Sequence, residues 1–349
     1  MTTATVASIA RQEACMSSDT ALKKEFPITF CEPRKDAAVV YLDLLGFKNY
    51  VNTAPAAALQ LLIDEYVILN QRVTDQRMME EGKVSVPDEL RDLAVQNTVS
   101  SFDYLRSLSD SVFIVSYKTE SLLSQLSNFV LSCFLFNSNS YAFPDDPVNP
   151  TQVATNVIRK AKNGGYEAKA ETQTRFPVLL RGGMSFGPTD RVETHEIARG
   201  DLVKVSNFSS MTVVNAVALE KAGKGPRIFC DQAVMDGMPS AEKNRFLLPV
   251  MGRKGVYEVL WPRAVFIDAN SFDVEIHHFS DLFLPAATFW KAWNHEEHGV
   301  HYWEFMKLII RSTLSYSRSK GCESAGLDAM KKVITKTGLS DKMDRLTSE

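Results

Sequence analysis

Two acids stand where apolar strands should run. VVYLDLLGF at 39–47 and LRSLSDSVF at 105–113 each carry one carboxylate, Asp43 and Asp110, in a hydrophobic setting. Strand interiors disfavour aspartate, and a lone carboxylate is costly to take out of water. An acid that persists there is paired, hydrogen-bonded or bound to a metal. Two such acids, each followed by apolar residues, offer the oxygen ligands that divalent cations use in phosphoryl-transfer sites. The alternative is a pair of buried aspartates held by hydrogen bonds alone.

The rest of the composition narrows the classes. Lysine and arginine total 39 against 42 acids, a net charge of −3, which gives no footprint for nucleic acid or an anionic membrane. Five cysteines, at 15, 31, 133, 230 and 322, are odd in number and form no CxxC pair. That argues against a zinc ribbon or a disulfide framework and for reduced thiols in a cytoplasmic protein. The N-terminal MTTATVASIARQEACMSS has no apolar core of a secretion signal, and FVLSCFLF at 129–136 is too short to cross a bilayer.

Along the chain, residues 1–33 read as a flexible arm, 34–262 as one domain and 263–349 as a helical, aromatic extension. AAVVYLDLL at 37–45 reads as a central strand ended by Gly46. Leu59, Leu62, Ile63, Tyr66, Val67 and Val73 recur at helical spacing and predict an amphipathic helix over 56–77. The polar stretch 77–99 reads as an insertion before a hairpin whose turn lies near Ser107–Asp110. Helices are expected over 119–136, near 151–163 (after the loop FPDDPVNP) and over 210–226, with a loop before the last. FPVLLRGGMSFGP at 176–188 is a strand whose paired glycines signal another backbone close by, and RIFCD and GVYEVLW are short closing strands. Strands and helices alternate around one mixed sheet. The expected fold is an α/β (α+β) sandwich with a ferredoxin-like βαββαβ core.

Four segments in this order resemble the class III nucleotidyl cyclases, the catalytic domain of adenylate and guanylate cyclases. They are YLDLLGF at 41–47, RSLSDSVFI at 106–114, LRGGMSFGP at 180–188 and VNAVALE at 214–220. The likeness spans about residues 36–260. Within the family, a compact domain, a long insertion between the acids and a helical tail resemble the bacterial pyrimidine cyclases of Pycsar antiphage defence.

The resemblance implies a reaction and its residues. A nucleoside triphosphate would be cyclised to the 3′,5′-monophosphate with loss of pyrophosphate, using two Mn²⁺ or Mg²⁺ ions per site. Asp43, Asp110 and the carbonyl of Leu44 would hold the metals. The turn Leu45–Gly46–Phe47 would cradle phosphate, and Tyr50 would narrow the pocket. Arg106 and Phe208 stand at the base-reading positions. Arginine offers only donors and phenylalanine no acceptor, so a small, acceptor-rich base is favoured: UTP, then CTP, then GTP. Asn215 would act at the transition state. The arginine expected four residues on is Leu219, and the triphosphate lysine falls near Met251, so Arg253 or Lys254 would have to substitute, with Arg181, otherwise an anchor of its strand, as a further candidate. Without a substitute, the alternatives are a degenerate nucleotide-binding or dimerisation module, or a purine cyclase. A single catalytic domain implies a homodimer with sites at the interface, one subunit giving Asp43 and Asp110, the other Arg106, Phe208 and Asn215. A separate effector protein would read the cyclic nucleotide.

His295, His298 and His301 form HxxHxxH in the extension. Gly299 weakens a helix there and the third histidine drifts off its face, which favours a polar face or dimer contact over a metal site. GKGP at 223–226 lacks the spacing of a P-loop.

Overall fold

The computed structural model describes residues 30–31, 34–53, 55–138, 151–160, 164–198, 201–266, 272–295 and 299–347. Its centre is strand β2 (Lys35–Leu44), with β1 (Phe30–Cys31) a short stub before it. Helices α1 (Phe47–Thr53) and α2 (Pro55–Glu80) follow, then α3 (Arg91–Gln96) and the hairpin β3 (Tyr104–Leu108) and β4 (Ser111–Ser116). Next come α4 (Leu122–Ser138), β5 (Thr151–Lys160), β6 (Tyr166–Arg175), β7 (Leu180–Ala198) and β8 (Asp201–Ser209). Helix α5 (Met211–Glu220), β9 (Ile228–Asp231), the short α6 (Gln232–Gly237) and α7 (Ser240–Phe246), β10 (Leu247–Pro249) and β11 (Val256–Val259) complete the sheet region. Four helices end the described chain: α8 (Phe272–Trp293), α9 (Gly299–Ser319), α10 (Glu323–Lys336) and α11 (Met343–Thr347).

The main sheet runs β10-β11-β9-β7-β2-β4-β3. Its β7-β2-β4-β3 part is antiparallel throughout, with α2 joining β2 to the hairpin and α4 leading towards β7. That is the ferredoxin-like split βαβ arrangement expected from the sequence. After α5, β9 lies parallel to β7. Strand β2 is apolar on both faces because both are covered. Ala38, Val40, Leu42 and Leu44 enter the main core, while Ala37 and Val39 join a small cluster with Val115 and Ala216.

The paired glycines are explained by packing. A Cβ at Gly183 would lie 2.0 Å from the Ala216 carbonyl oxygen of α5, and one at Gly182 would lie 2.2 Å from that of Tyr41. Only glycine lets helix and strand backbones meet this closely. The extension packs on its own chain: Phe305 of α9 stacks on Trp261 and meets Phe134 of α4 edge-on, inside one shared core.

Several expectations are corrected. Helix α2 buries the opposite face: Ala57, Ala58, Leu61, Asp64, Glu65 and Ile68 are inside, whereas Leu59, Ile63, Tyr66, Val67 and Val73 are exposed. An apolar period alone does not say which side of a helix is covered. The helix expected near 151–163 is instead strand β5, paired with β6 across a turn that includes Gly164 at φ +85°. Its Thr151, Val153, Thr155, Val157 and Ile158 are the β-branched residues of a strand. The loop expected before α5 holds β8, in a long hairpin with β7. The stretch 77–99 is partly helical, and its end is pinned by buried Gln125, which accepts from Ser101 and donates to Thr98 and Val95. The proposed arm at 1–33, Phe30–Cys31 aside, and the loop at 143–150 lie outside the described residues.

Candidate active site

Sheet register sets three polar side chains in a row. Asp43 on β2 faces Ser111 on β4 and Arg181 on β7. Arg181 donates through Nε and Nη2 to Asp43 Oδ2 at 3.1 and 3.0 Å. Ser111 Oγ donates to Oδ1 at 3.3 Å, which leaves its lone pairs to accept from the Tyr41 hydroxyl at 2.9 Å. Burial pushes the Asp43 carboxyl above the usual range; Arg181 and the Ser111 hydrogen bond pull it down, and the Asp110 charge pushes it up. Tyr41 is raised as well, by burial first and then by the charges of Asp43, Glu220 and Asp110.

Asp110 sits in the β3–β4 turn beside Ser109, whose φ is +60°. Its carbonyl oxygen accepts the Leu44 amide at 2.8 Å, which ties the turn to β2. Its carboxylate has no hydrogen bond or ion pair among the described residues. Both acids open on one cleft of about 650 Å³. The cleft also takes in Leu44, Gly46, Phe47 and Tyr50, so six of the expected site residues come together. Gly46 has φ +80°, which turns the chain sharply from β2 into α1. The Leu45 amide is spent on the Leu179 carbonyl at 2.8 Å, so any anion cradle shifts to the amides of Gly46, Phe47 and Lys48.

The remaining expected residues lie elsewhere. Arg106 and Phe208 share a second cleft, of about 370 Å³, with Tyr104, Lys204 and Asn207. There Arg106 donates to the Asn207 side-chain carbonyl and to Glu196. Asn215 lies in a third depression with Leu219 and Arg253. Lys254 is exposed and lines none of the three.

The sequence reading missed several groups. Ser111, Lys48, Trp293, His301 and Tyr302 were not anticipated near the acids, and Arg181 was foreseen only as a strand anchor or stand-in cation. His301 Nδ1 accepts the Gly225 amide at 2.9 Å, which fixes the ring at the wall of the cleft. Of the HxxHxxH run, His298 lies outside the described residues, and no group of three or more metal-binding side chains gathers among those described. A third acid, Glu65 of α2, is buried close enough to Asp110 to feel its charge and has no partner for Oε1. Aspartate next to serine, and arginine next to paired glycines, were the available signals.

The donor set suits a hard cation. Two carboxylates face one cleft and one of them is unclaimed by protein donors, while no group of three or more His, Cys, Asp or Glu gathers among the described residues. Magnesium and manganese bind in this manner, through one or two carboxylates with water and phosphate oxygens completing the shell. A structural zinc site needs more ligands.

No sequence family and no curated protein sequence matches the chain. Among solved structures, it is similar to the guanylyl cyclase Cya2 at 10% identity and a TM-score of 0.35, over 66% of this chain and 94% of that one. The guanylyl cyclase domain of a RhoGC fusion protein from the aquatic fungus Blastocladiella emersonii gives 14% identity and 0.36, over 67% and 98%. The adenylyl cyclase CyaB from P. aeruginosa gives 13% and 0.34, over 70% and 97%.

Proposed function

We propose that the protein is a nucleotidyl cyclase that acts on a pyrimidine nucleoside triphosphate, UTP before CTP, and works as a homodimer. The observation that carries this reading is the meeting of Asp43 and Asp110, distant in sequence, on a single cleft beside the Gly46 turn. Asp43, Asp110 and the Leu44 carbonyl would hold two Mg²⁺ or Mn²⁺ ions. Bound there, the ions supply charge neutralisation at the triphosphate and acidify the attacking ribose hydroxyl. The amides of Gly46, Phe47 and Lys48 orient phosphate oxygens, with the Lys48 ammonium beside them. Trp293, His301 and Tyr302 wall the cleft against water.

The base would be read in the cleft of Arg106 and Phe208, where Arg106 supplies donors to carbonyl oxygens of a small ring. Glu196 adds an acceptor next to Arg106, which suits the exocyclic amine of cytosine or guanine and makes CTP the nearest competitor. Arg253, in the same depression as Asn215, is the cation that stands in for the arginine missing at Leu219; Lys254 is not placed for it. The three depressions are separate in one chain, which supports assembly of each site from two copies. Exposed Leu108, Val203, Met211 and Val214, on or beside the second cleft and α5, give that docking face its apolar character. By the Pycsar resemblance, the product would activate an effector during phage infection.

Incubation with each of the four triphosphates and Mn²⁺, followed by mass detection of cyclic product, tests the reading. Cyclic UMP or CMP is expected from the wild type, and none from folded Asp43→Asn or Asp110→Asn. Cyclic AMP or GMP alone would refute the base assignment. No product under any condition would leave the second reading, a nucleotide-binding module that has lost catalysis, which Leu219 and Met251 favour.

A further inference from the structure

We propose that Arg181 is a placeholder on Asp43: it occupies the carboxylate until a divalent cation takes its place, and it then moves onto Glu220. This rests on the metal reading of the site and deepens it.

Arg181 stands between two carboxylates. Both of its hydrogen bonds to Asp43 go to one oxygen, Oδ2. On the other side, Glu220 Oε1 lies 2.6 Å from Arg181 Nε. Nε carries a single proton, and that proton points at Asp43. Glu220 Oε1 therefore has the charge contact but no hydrogen bond, although Glu220 is only 6% exposed. A buried carboxylate oxygen left this way is a rare feature that calls for a cause. A guanidinium that swings by a small angle would satisfy it, provided something else neutralises Asp43. A divalent cation at Asp43 does so and competes for the same Oδ2. After the exchange each carboxylate has a cation, the divalent ion on Asp43 and Arg181 on Glu220, and the arginine is never stranded. Glu220 closes α5, the helix that also carries Asn215, so a filled metal site would tighten β7 against the end of that helix. Arg181 and Glu220 act through Asp43 and are positioning residues.

The test is direct binding of Mn²⁺ alone to the full chain, read as free Mn²⁺ by electron paramagnetic resonance, with circular dichroism as the fold check. Arg181→Gln should bind Mn²⁺ about tenfold more tightly, since a competing charge is gone. Arg181→Lys, which keeps the charge without the fork, should fall between. Glu220→Gln should weaken binding severalfold by leaving Arg181 no second partner, and this effect should largely vanish in the Arg181→Gln background. Binding that needs Asp43 yet is unchanged or weaker in Arg181→Gln overturns the placeholder alone. So does a Glu220→Gln effect that persists in full in the double variant, which would be plain charge loss. Absence of Mn²⁺ binding in the wild type, or binding indifferent to Asp43→Asn, overturns the metal reading and the placeholder together.

Discussion

Glu65 gives the sharpest test of the electrostatics behind the site. It is 4% exposed on α2, and its Oε1 meets no donor. Its neighbour Asp64 is served by Gln60 and Asn137, but Glu65 is not. Burial first, and the Asp110 charge second, push its carboxyl from 4.5 up to about 7. The sign follows from linkage. Between these values the folded protein holds the proton and the unfolded chain does not, so stability falls as pH rises. At about 1.36 kcal/mol per pH unit, the rise from 4.5 to about 7 makes ionised Glu65 cost about 3 kcal/mol above neutral pH. Glu65→Gln removes that cost. In urea, with chelator present to hold metals off Asp110, the variant should exceed the wild type by about 3 kcal/mol at roughly pH 8.5. The gap should shrink towards a constant offset near pH 4.5, where both side chains are neutral. With a slope of about 3 kcal/mol/M, this is a midpoint change of roughly 1 M. Other carboxylates titrate alike in both proteins and cancel. A stability difference that does not change with pH would refute the reasoning, because it would mean that Glu65 ionises normally in the fold.

Other substitutions read different parts of the structure. Gly183→Ala should destabilise by about 2–3 kcal/mol in urea, because the new Cβ meets the Ala216 carbonyl at 2.0 Å and α5 must lift from β7. Phe305→Ala should cost about 3–5 kcal/mol by the same measure, since a fully buried ring stacked on Trp261 is lost from the core shared with the extension. Ser111→Ala removes a donor to the charged form of Asp43, so the Asp43 carboxyl should titrate higher still by NMR, with about 1 kcal/mol lost in stability.

What the sequence disclosed depended on how local the physics was. Strand β2, the hairpin around Asp110, α4, α5 and the Gly182–Gly183 approach were legible, because each is set by composition over a few residues. The covered face of α2 was not. Its apolar period marks the stripe Leu59–Ile63–Tyr66, whereas alanines and two acids face inward, and only the tertiary partner determines which side is covered. The β5–β6 ribbon was misread because Val153, Val157 and Ile158 fit a helical period as well as an alternating one. In the site, the acids and the Gly46 turn were visible as anomalies in their own segments. Arg181 as the partner of Asp43 was not, since the pairing follows from β2–β7 register across 138 positions of chain. The walls supplied by Trp293, His301 and Tyr302 come from the extension, whose aromatics read as packing.

Parity along β2 explains how Asp43 keeps both solvent and polar partners. Residues 38, 40, 42 and 44 point into the thick side of the molecule, under α2, α4 and the C-terminal helices. Residues 37, 39, 41 and 43 point to the thin side, which α5 covers through Ala216. On that side the Asp43 side chain keeps 15% of its surface in contact with solvent and has a cation and a hydroxyl within reach. A slip of one residue would drive the carboxylate into the main hydrophobic core, where its charged form would lose both solvent and these partners. The same thin side bears Arg106 and Phe208 in a neighbouring cleft, and exposed Met211 and Val214 on α5. In the proposed homodimer this sparsely covered face, lined with apolar and charged groups, is the surface that the second copy takes. A second copy laid against it would bury those side chains and bring the Arg106–Phe208 cleft of one chain to the acids of the other. Such a pairing should convert Met211→Asp or Val214→Asp into a monomeric, folded and inactive protein, and sedimentation of those variants as unaltered dimers would contradict it.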